Sequence, residues 1–294
     1  MVNIMVKTLV LSGGGLKTIS FVGAFRYLEE LNYDSKINKV IANSGGSILG
    51  FLFILGYKSN ELSIFFQNLD ISKLFVLTAN NLLNFGSNYG IDDISRIGNI
   101  VKKFLQKKYF VDDITFEELY EKTGKKFEVI GTCLSTVSCE HFNYERTPTM
   151  SVLTAINISF AIPFLFKPIF YNNKYYVDGA LTNNFPIENC LNDNSETMAI
   201  IIYEKNEFIK INNIEDYVVT VLKTNFIKQD NDKYIKYYDL TVELCFEMNP
   251  VNFNIDKKVI KEIIDIGYTT MRKKIQDKFS YMLKTPILLI KHSV

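Results

Sequence analysis

The hydrophobic positions fall into short β-type runs separated by glycine turns and by longer stretches of helical spacing. Ile4 to Leu11 reads as a buried strand. After the glycines that follow, Phe21, Ala24, Phe25, Leu28 and Leu31 recur every three or four residues, as on a helix with one buried face. Lys39 to Asn43 is a second, shorter β-leaning run that stops at Ser44. Beyond it Ile48 to Leu55 is apolar on every side, the pattern of a helix buried all round. Strand, glycine loop, helix, strand, tight turn, helix is the alternation of an α/β layer with parallel strands.

From Ser59 to about Lys108 the spacing stays helical but more polar, with loop punctuation at Asn80, Asn81, Gly86 and Gly90, which predicts a helical cap over residues 59–110. Thr115 followed by Glu118 is a capping box opening a short helix. Strand patterns return at Phe127 to Leu134, Lys174 to Val177, Thr197 to Tyr203 and Leu240 to Phe246, and an amphipathic helix runs from about Asp256 to Leu283. No repeat, linker or low-complexity tract divides the chain, so residues 1–294 are expected to form a single domain.

Composition narrows the function classes. With 33 Lys plus Arg against 32 Asp plus Glu, the net charge of +1 supplies no bulk field toward a phosphate backbone, which excludes charge-driven nucleic-acid binding. No apolar run approaches the roughly 20 residues of a spanning helix. Lys7 interrupts the first apolar run and no small-residue cleavage site precedes Gly13, so that run reads as a strand and not as a secretory signal. Cys133, Cys139, Cys190 and Cys245 show no paired spacing, as expected of reduced thiols in an intracellular protein. The two histidines, His141 and His292, have no paired cysteines beside them to complete a zinc cage, and no carboxylates follow calcium-loop spacing. No metal or other cofactor is expected.

Three local patterns could carry chemistry. Ser12-Gly13-Gly14-Gly15-Leu16-Lys17-Thr18 lies between a strand and a helix, where backbone N–H groups can converge on an anion; it also fits a plain tight turn. A nucleotide phosphate loop fails on spacing, because Leu16 stands where the glycine before the lysine is required. Ala42-Asn43-Ser44-Gly45-Gly46 places a serine on a strand-to-helix turn flanked by small residues, which suits either a nucleophile elbow with its first glycine replaced by alanine or a simple helix N-cap. Val177-Asp178-Gly179 closes a β-rich run, where Asp-Gly also fits a hairpin turn.

In this order, with Asp178 lying 134 residues after Ser44, the three patterns resemble the patatin-like phospholipases. Thr115 to Leu119, Ala155 to Pro168 (AINISFAIPFLFKP) and Val177 to Pro186 (VDGALTNNFP) extend the resemblance over most of the chain. It implies a three-layer α/β/α fold with a mainly parallel central sheet. It also implies a lipid acyl hydrolase of phospholipase A type, with Ser44 as nucleophile, Asp178 as base, the Gly13, Gly14 and Gly15 amides as oxyanion hole, and Asn43, Gly45 and Gly46 forming the elbow. Lys17 stands where the family usually has arginine and is a candidate substrate or anion contact. Thr18 and Ala42 replace glycines of the family pattern; the alternative they suggest is a lipid-binding or scaffolding protein with weakened chemistry.

The expected partner is a phospholipid or another acyl-ester lipid, reached through peripheral contact with a membrane, and nothing in the pattern specifies an oligomeric state. Phe160, Ile162, Phe164, Leu165, Phe166, Ile169 and Phe170 read chiefly as core and secondarily as the lining of an acyl pocket or a face toward a membrane interface. A Ser-His-Asp triad through His292 is disfavoured, because that residue is third from the C-terminus, where a chain frays. His141 reads as an ordinary residue at a strand edge.

Overall fold

The two opening β-type runs become adjacent parallel strands, β1 (Thr8–Leu11) and β2 (Lys39–Ala42), with Leu9 opposite Val40 and Leu11 opposite Ala42. The computed structural model describes residues 6–76, 78–203, 211–212, 214–246 and 255–284. Ile4 and Met5 of the expected first strand, and His292, lie outside them. After the glycine loop the chain makes a 3-10 turn (Gly15–Ser20) before α1 (Phe21–Glu30), and β2 leads directly into α2 (Gly45–Ile54). Then follow α3 (Ser59–Asn68), α4 (Ala79–Leu83), α5 (Phe85–Asn88), β3 (Gly90–Asp92), α6 (Ser95–Tyr109), α7 (Phe116–Thr123), β4 (Lys126–Cys133), β5 (Ser138–Asn143) and α8 (Val152–Phe160). The remainder comprises β6 (Phe164–Phe166), β7 (Ile169–Tyr171), β8 (Lys174–Asp178), α9 (Ala180–Asn183), β9 (Thr197–Tyr203), α10 (Ile214–Lys236), β10 (Thr241–Cys245) and α11 (Lys257–Lys284).

The main sheet runs β10-β9-β1-β2-β4-β8-β7, with β5 paired to β4. From β10 to β4 all neighbours are parallel, while β5 and β8 run antiparallel to β4. Alternate residues of the central strands enter two separate cores. Leu9, Leu11, Val40, Ala42 and Val129 face one, together with α1, α2 and α11; Val10, Ile41, Ile130 and Ile201 face the other, with Phe185, Ile187 and Tyr237. Because strand side chains alternate between faces, this division makes the chain a three-layer α/β/α sandwich.

In the first layer α1 and α11 touch through backbone. A Cβ added at Gly23 would lie 1.8 Å from the Ile264 carbonyl oxygen, and one at Gly267 would lie 1.8 Å from that of Ser20. The segment expected to form a cap is helical at α3 and α6, but Leu62, Phe66, Val101, Phe104 and Leu105 anchor it in the main core. Of the apolar stretch that begins at the end of α8, Phe160, Ile162, Leu165 and Phe166 are buried in a smaller cluster, whereas Phe164 and Phe170 are exposed.

One detail of the sheet positions the site. β2 pairs with β4 only as far as Ala42 opposite Val129, and β8 pairs with β4 from Tyr176 opposite Cys133 to Asp178 opposite Gly131. Since β5 occupies the other edge of β4 throughout Glu128 to Cys133, β2 and β8 must share one edge. They approach each other head to head there, and their ends deliver Ser44 and Asp178 to the same point.

Candidate active site

Ser44 takes φ 49° and ψ −130°, a backbone conformation that L-residues rarely adopt and that the surrounding structure must hold in place. Its N–H donates to Ser159 Oγ (2.8 Å), and its carbonyl accepts from Ser47 N (2.8 Å) and Ser47 Oγ (2.6 Å). The small neighbours are required by space. A Cβ at Gly45 would meet Thr18 Oγ1 at 2.5 Å, and one at Gly46 would meet the Ser12 carbonyl oxygen at 2.4 Å. Ala42 fits because α2 places Gly50 opposite it; a Cβ there would crowd Val40 Cγ1 at 3.0 Å and the Ala42 methyl at 3.3 Å. Thr18 also fits: its hydroxyl donates to the Gly15 carbonyl at 2.7 Å.

Ser44 Oγ donates to Asp178 Oδ2 at 2.6 Å. Ala180 N donates to Asp178 Oδ1 at 2.8 Å, and Asp178 leads into α9 rather than into a hairpin turn. Both Ser44 and Asp178 are buried, at 4% and 3% exposure. Burial raises the Asp178 carboxyl to about 7, although the Ser44 hydroxyl and the Ala180 amide both favour its charged form.

The glycine loop passes beside this pair. Gly13 N–H donates to the Asn184 carbonyl at 3.1 Å, whereas the Gly14 and Gly15 amides have no acceptor among the described residues. Gly15, at φ 54°, occupies the left-handed region that glycine adopts without strain. A cavity of about 90 Å³ opens onto Gly13, Gly14, Gly15, Ser44 and Asp178. Its walls are largely apolar, from Ile162, Pro163, Leu181, Ile202 and Leu222, with Asn184, Lys223 and Asp230 as polar members. Lys17 is not among the lining residues; its side chain is buried at 2% exposure.

Sequence patterns did not single out the polar chain that supports Ser44 from behind. Asp230 Oδ2 accepts from Asn184 Nδ2 (2.5 Å), Asn184 Oδ1 from Asn43 Nδ2 (3.3 Å), and Asn43 Oδ1 from Ser159 Oγ (3.2 Å), which in turn accepts from Ser44 N–H. The available signal was Ser159 itself, a hydroxyl inside the apolar run of α8. Among the described residues no group of His, Cys, Asp and Glu has the arrangement of a metal site, and no helix is long and apolar enough to cross a membrane.

The fold and the site define an α/β protein whose buried Ser-Asp pair sits where two strands meet beside a glycine loop. The chain belongs to the patatin-like phospholipase family, whose sequence profile matches residues 9–191. It is 30% identical over 288 residues, covering 96% of this chain and 90% of the relative, to a protein of Invertebrate iridescent virus 6 described as probable lipid hydrolase 463L. It is 26% identical over 169 residues, 54% of this chain and 33% of the relative, to the triacylglycerol lipase ptl3 of Schizosaccharomyces pombe. Among solved structures, VipD of Legionella pneumophila shares the fold with a TM-score of 0.59 and 16% identity, covering 92% of this chain and 67% of VipD. The type III effector ExoU of Pseudomonas aeruginosa does so with a TM-score of 0.55 and 17% identity, covering 93% of this chain and 53% of the effector chain.

Proposed function

We propose that the protein is a lipid acyl hydrolase of phospholipase A type, with Ser44 as nucleophile and Asp178 as its base. The observation that carries this reading is the 2.6 Å hydrogen bond from Ser44 Oγ to a buried carboxylate, at the mouth of an apolar cavity. As Oγ bonds to the ester carbonyl carbon, its proton passes to Asp178, and the oxygen that gains charge turns toward the Gly14 and Gly15 amides. Collapse breaks the ester bond, the alcohol leaves with that proton, and the acyl group remains on Ser44. Water then attacks the acyl-enzyme as Asp178 again takes a proton; the acyl–Oγ bond breaks, Asp178 returns the proton to Ser44 Oγ, and the fatty acid departs. A carboxylate raised to about 7 is a far better proton acceptor than one at the ordinary 3.8.

Family membership and relatives described as a lipid hydrolase and a lipase support a lipid ester as the substrate class. Residues of α3 and α6, in the segment 59–110 expected to form a cap, line a second apolar cavity of about 60 Å³ that abuts Gly15 and Gly45. Peripheral contact with a lipid surface has a starting point in Phe164, 46% exposed and next to Pro163 of the cavity wall.

The test is fatty-acid release from mixed phospholipid vesicles by the purified protein, without added metal, beside Ser44→Ala with its fold checked by circular dichroism. Release by the wild type that vanishes in the folded variant is expected; undiminished release by Ser44→Ala overturns the reading.

A further inference from the structure

The chemistry above leaves one cluster of reactive side chains unused. Cys139 and His141, two residues apart on β5, project from one face of the sheet, and Glu128 projects from the same face of β4. Cys139 Sγ lies 3.5 Å from His141 Nε2, and His141 Nδ1 lies 2.9 Å from Glu128 Oε1. Asn189 Nδ2 lies 3.0 Å from the same Glu128 oxygen, to which it donates, and 3.0 Å from His141 Nδ1. Sulfur, imidazole and carboxylate thus stand in series, with the ring held by the carboxylate at one nitrogen and facing the thiol with the other. This is an arrangement in which a histidine can activate a cysteine nucleophile.

Cys139 is only half-buried, whereas Cys133 and Cys190 are buried. The titratable and charged groups facing the cluster are Glu128 from β4, Lys39 from β2 at 3.6 Å from Glu128, and Cys190 from the segment after α9. The Cys139 sulfur, and after it Glu128, raise His141 to about 9, so the ring is a cation at neutral pH.

We propose that Cys139 is an activated thiol, a modification site separate from Ser44 that reacts with soft electrophiles and with hydrogen peroxide. The thiol gives up its proton to solvent, and the thiolate stands beside the protonated His141 ring. With iodoacetamide the thiolate forms an S–C bond as the C–I bond breaks and iodide leaves. With peroxide it forms an S–O bond as the O–O bond breaks. The departing hydroxide takes a proton from His141 and leaves as water; the sulfur, oxidised by two electrons, becomes a sulfenic acid.

The experiment is site-resolved mass spectrometry of the native full chain after brief iodoacetamide treatment between pH 5.5 and 8.5. Cys245, also half-buried, and the buried Cys190, whose thiol burial pushes up to about 11, serve as internal references. Cys139 is expected to react at least about ten-fold faster than Cys245 at pH 7 and to keep its rate below pH 7, where an unassisted thiol of pKa about 8.5 loses roughly ten-fold per pH unit. His141→Gln should slow Cys139 by about ten-fold or more while leaving the Cys245 rate unchanged, which also reports an intact fold. Peroxide followed by dimedone should mark Cys139 in the wild type and lose that mark in Cys139→Ser.

Wild-type Cys139 reacting no faster than Cys245, with an ordinary thiol pH profile, overturns the proposal whether or not His141→Gln folds. So does a folded His141→Gln protein with unchanged Cys139 reactivity, and a missing dimedone mark overturns the peroxide reaction. None of these readouts depends on lipid turnover, so they stand or fall separately from the role of Ser44.

Discussion

Two buried carboxylates beside strand β4 have opposite protonation behaviour. Asp178, opposite Gly131 of β4, is 3% exposed; Glu128, on β4 itself, is 6% exposed. Burial disfavours the charge on both. Among the described residues the Asp178 carboxylate accepts from neutral dipoles, the Ser44 hydroxyl and the Ala180 amide, and burial prevails at about 7. Around Glu128 burial acts the same way, but the hydrogen bond from His141 and the charge of Lys39 hold the carboxyl below its ordinary range. Burial without a cation makes a group able to exchange a proton near neutral pH; burial with one makes a permanent anion that orients its neighbour.

The same isosteric change at the two positions should therefore act in opposite directions. Asp178→Asn is expected to reduce fatty-acid release by about 10³-fold, the range of a lost general base. At pH 8 it should also stabilise the fold, because the gap between about 7 and the ordinary 3.8 corresponds to a cost on the order of 4 kcal/mol for holding that buried carboxylate charged. The folded state binds this proton more tightly than the unfolded chain. Wild-type stability from this group therefore falls as pH rises from about 4 through 7, while turnover rises through about 7 as the base ionises. Denaturation midpoints of both proteins at pH 4 and pH 8 check the sign, which fails if their difference does not widen toward pH 8.

Glu128→Gln should destabilise by about 2–3 kcal/mol, because it strands the His141 charge in a largely buried place. Urea unfolding at pH 6 measures this, and a stabilised variant would show that the two carboxylates do not differ as described. His141 adds a pH signature of its own. Its folded value is raised from 6.5 to about 9, so its contribution is fully present below about 6.5 and is lost as pH rises through about 9. The stability difference between wild type and His141→Gln should shrink across that window, and a constant difference would remove proton linkage as its cause.

How far these features were legible in the sequence depends on whether local or tertiary order makes them. Ser44 was legible because the end of a β-run, a tight turn and small flanking residues are local requirements, and β9 was read with its observed limits, Thr197–Tyr203, because its hydrophobic run is continuous. The meeting of β2 and β8 on one edge of β4 was not, since nothing in Lys174 to Asp178 states which strand it pairs with or in which direction. The chain of hydrogen bonds from Asp230 through Asn184 and Asn43 to Ser159 joins residues from four separate segments, and α10, which carries Asp230, lacks a clear amphipathic stripe. The partnership of Glu128 with His141 arises from the β4–β5 register, which brings together residues 13 apart.

The smallest effect divides the two cations that hold Glu128. Lys39 Nζ stands 3.6 Å from Glu128 Oε2 and its side chain is 32% exposed, whereas His141 makes a 2.9 Å hydrogen bond and its side chain is 16% exposed. Water and salt screen the lysine more, so Lys39→Ala should cost no more than about 1 kcal/mol, and 1 M salt should reduce that further. The Glu128 carboxyl should move back toward its ordinary range without reaching it, because the His141 hydrogen bond remains. Unfolding of the wild type, Lys39→Ala and His141→Gln at low and high salt, at pH 6, gives the ranking. If Lys39→Ala proves the more damaging and its effect survives high salt, the lysine holds the Glu128 charge, and the contrast with Asp178 then rests on an ion pair with β2 rather than on the imidazole of β5.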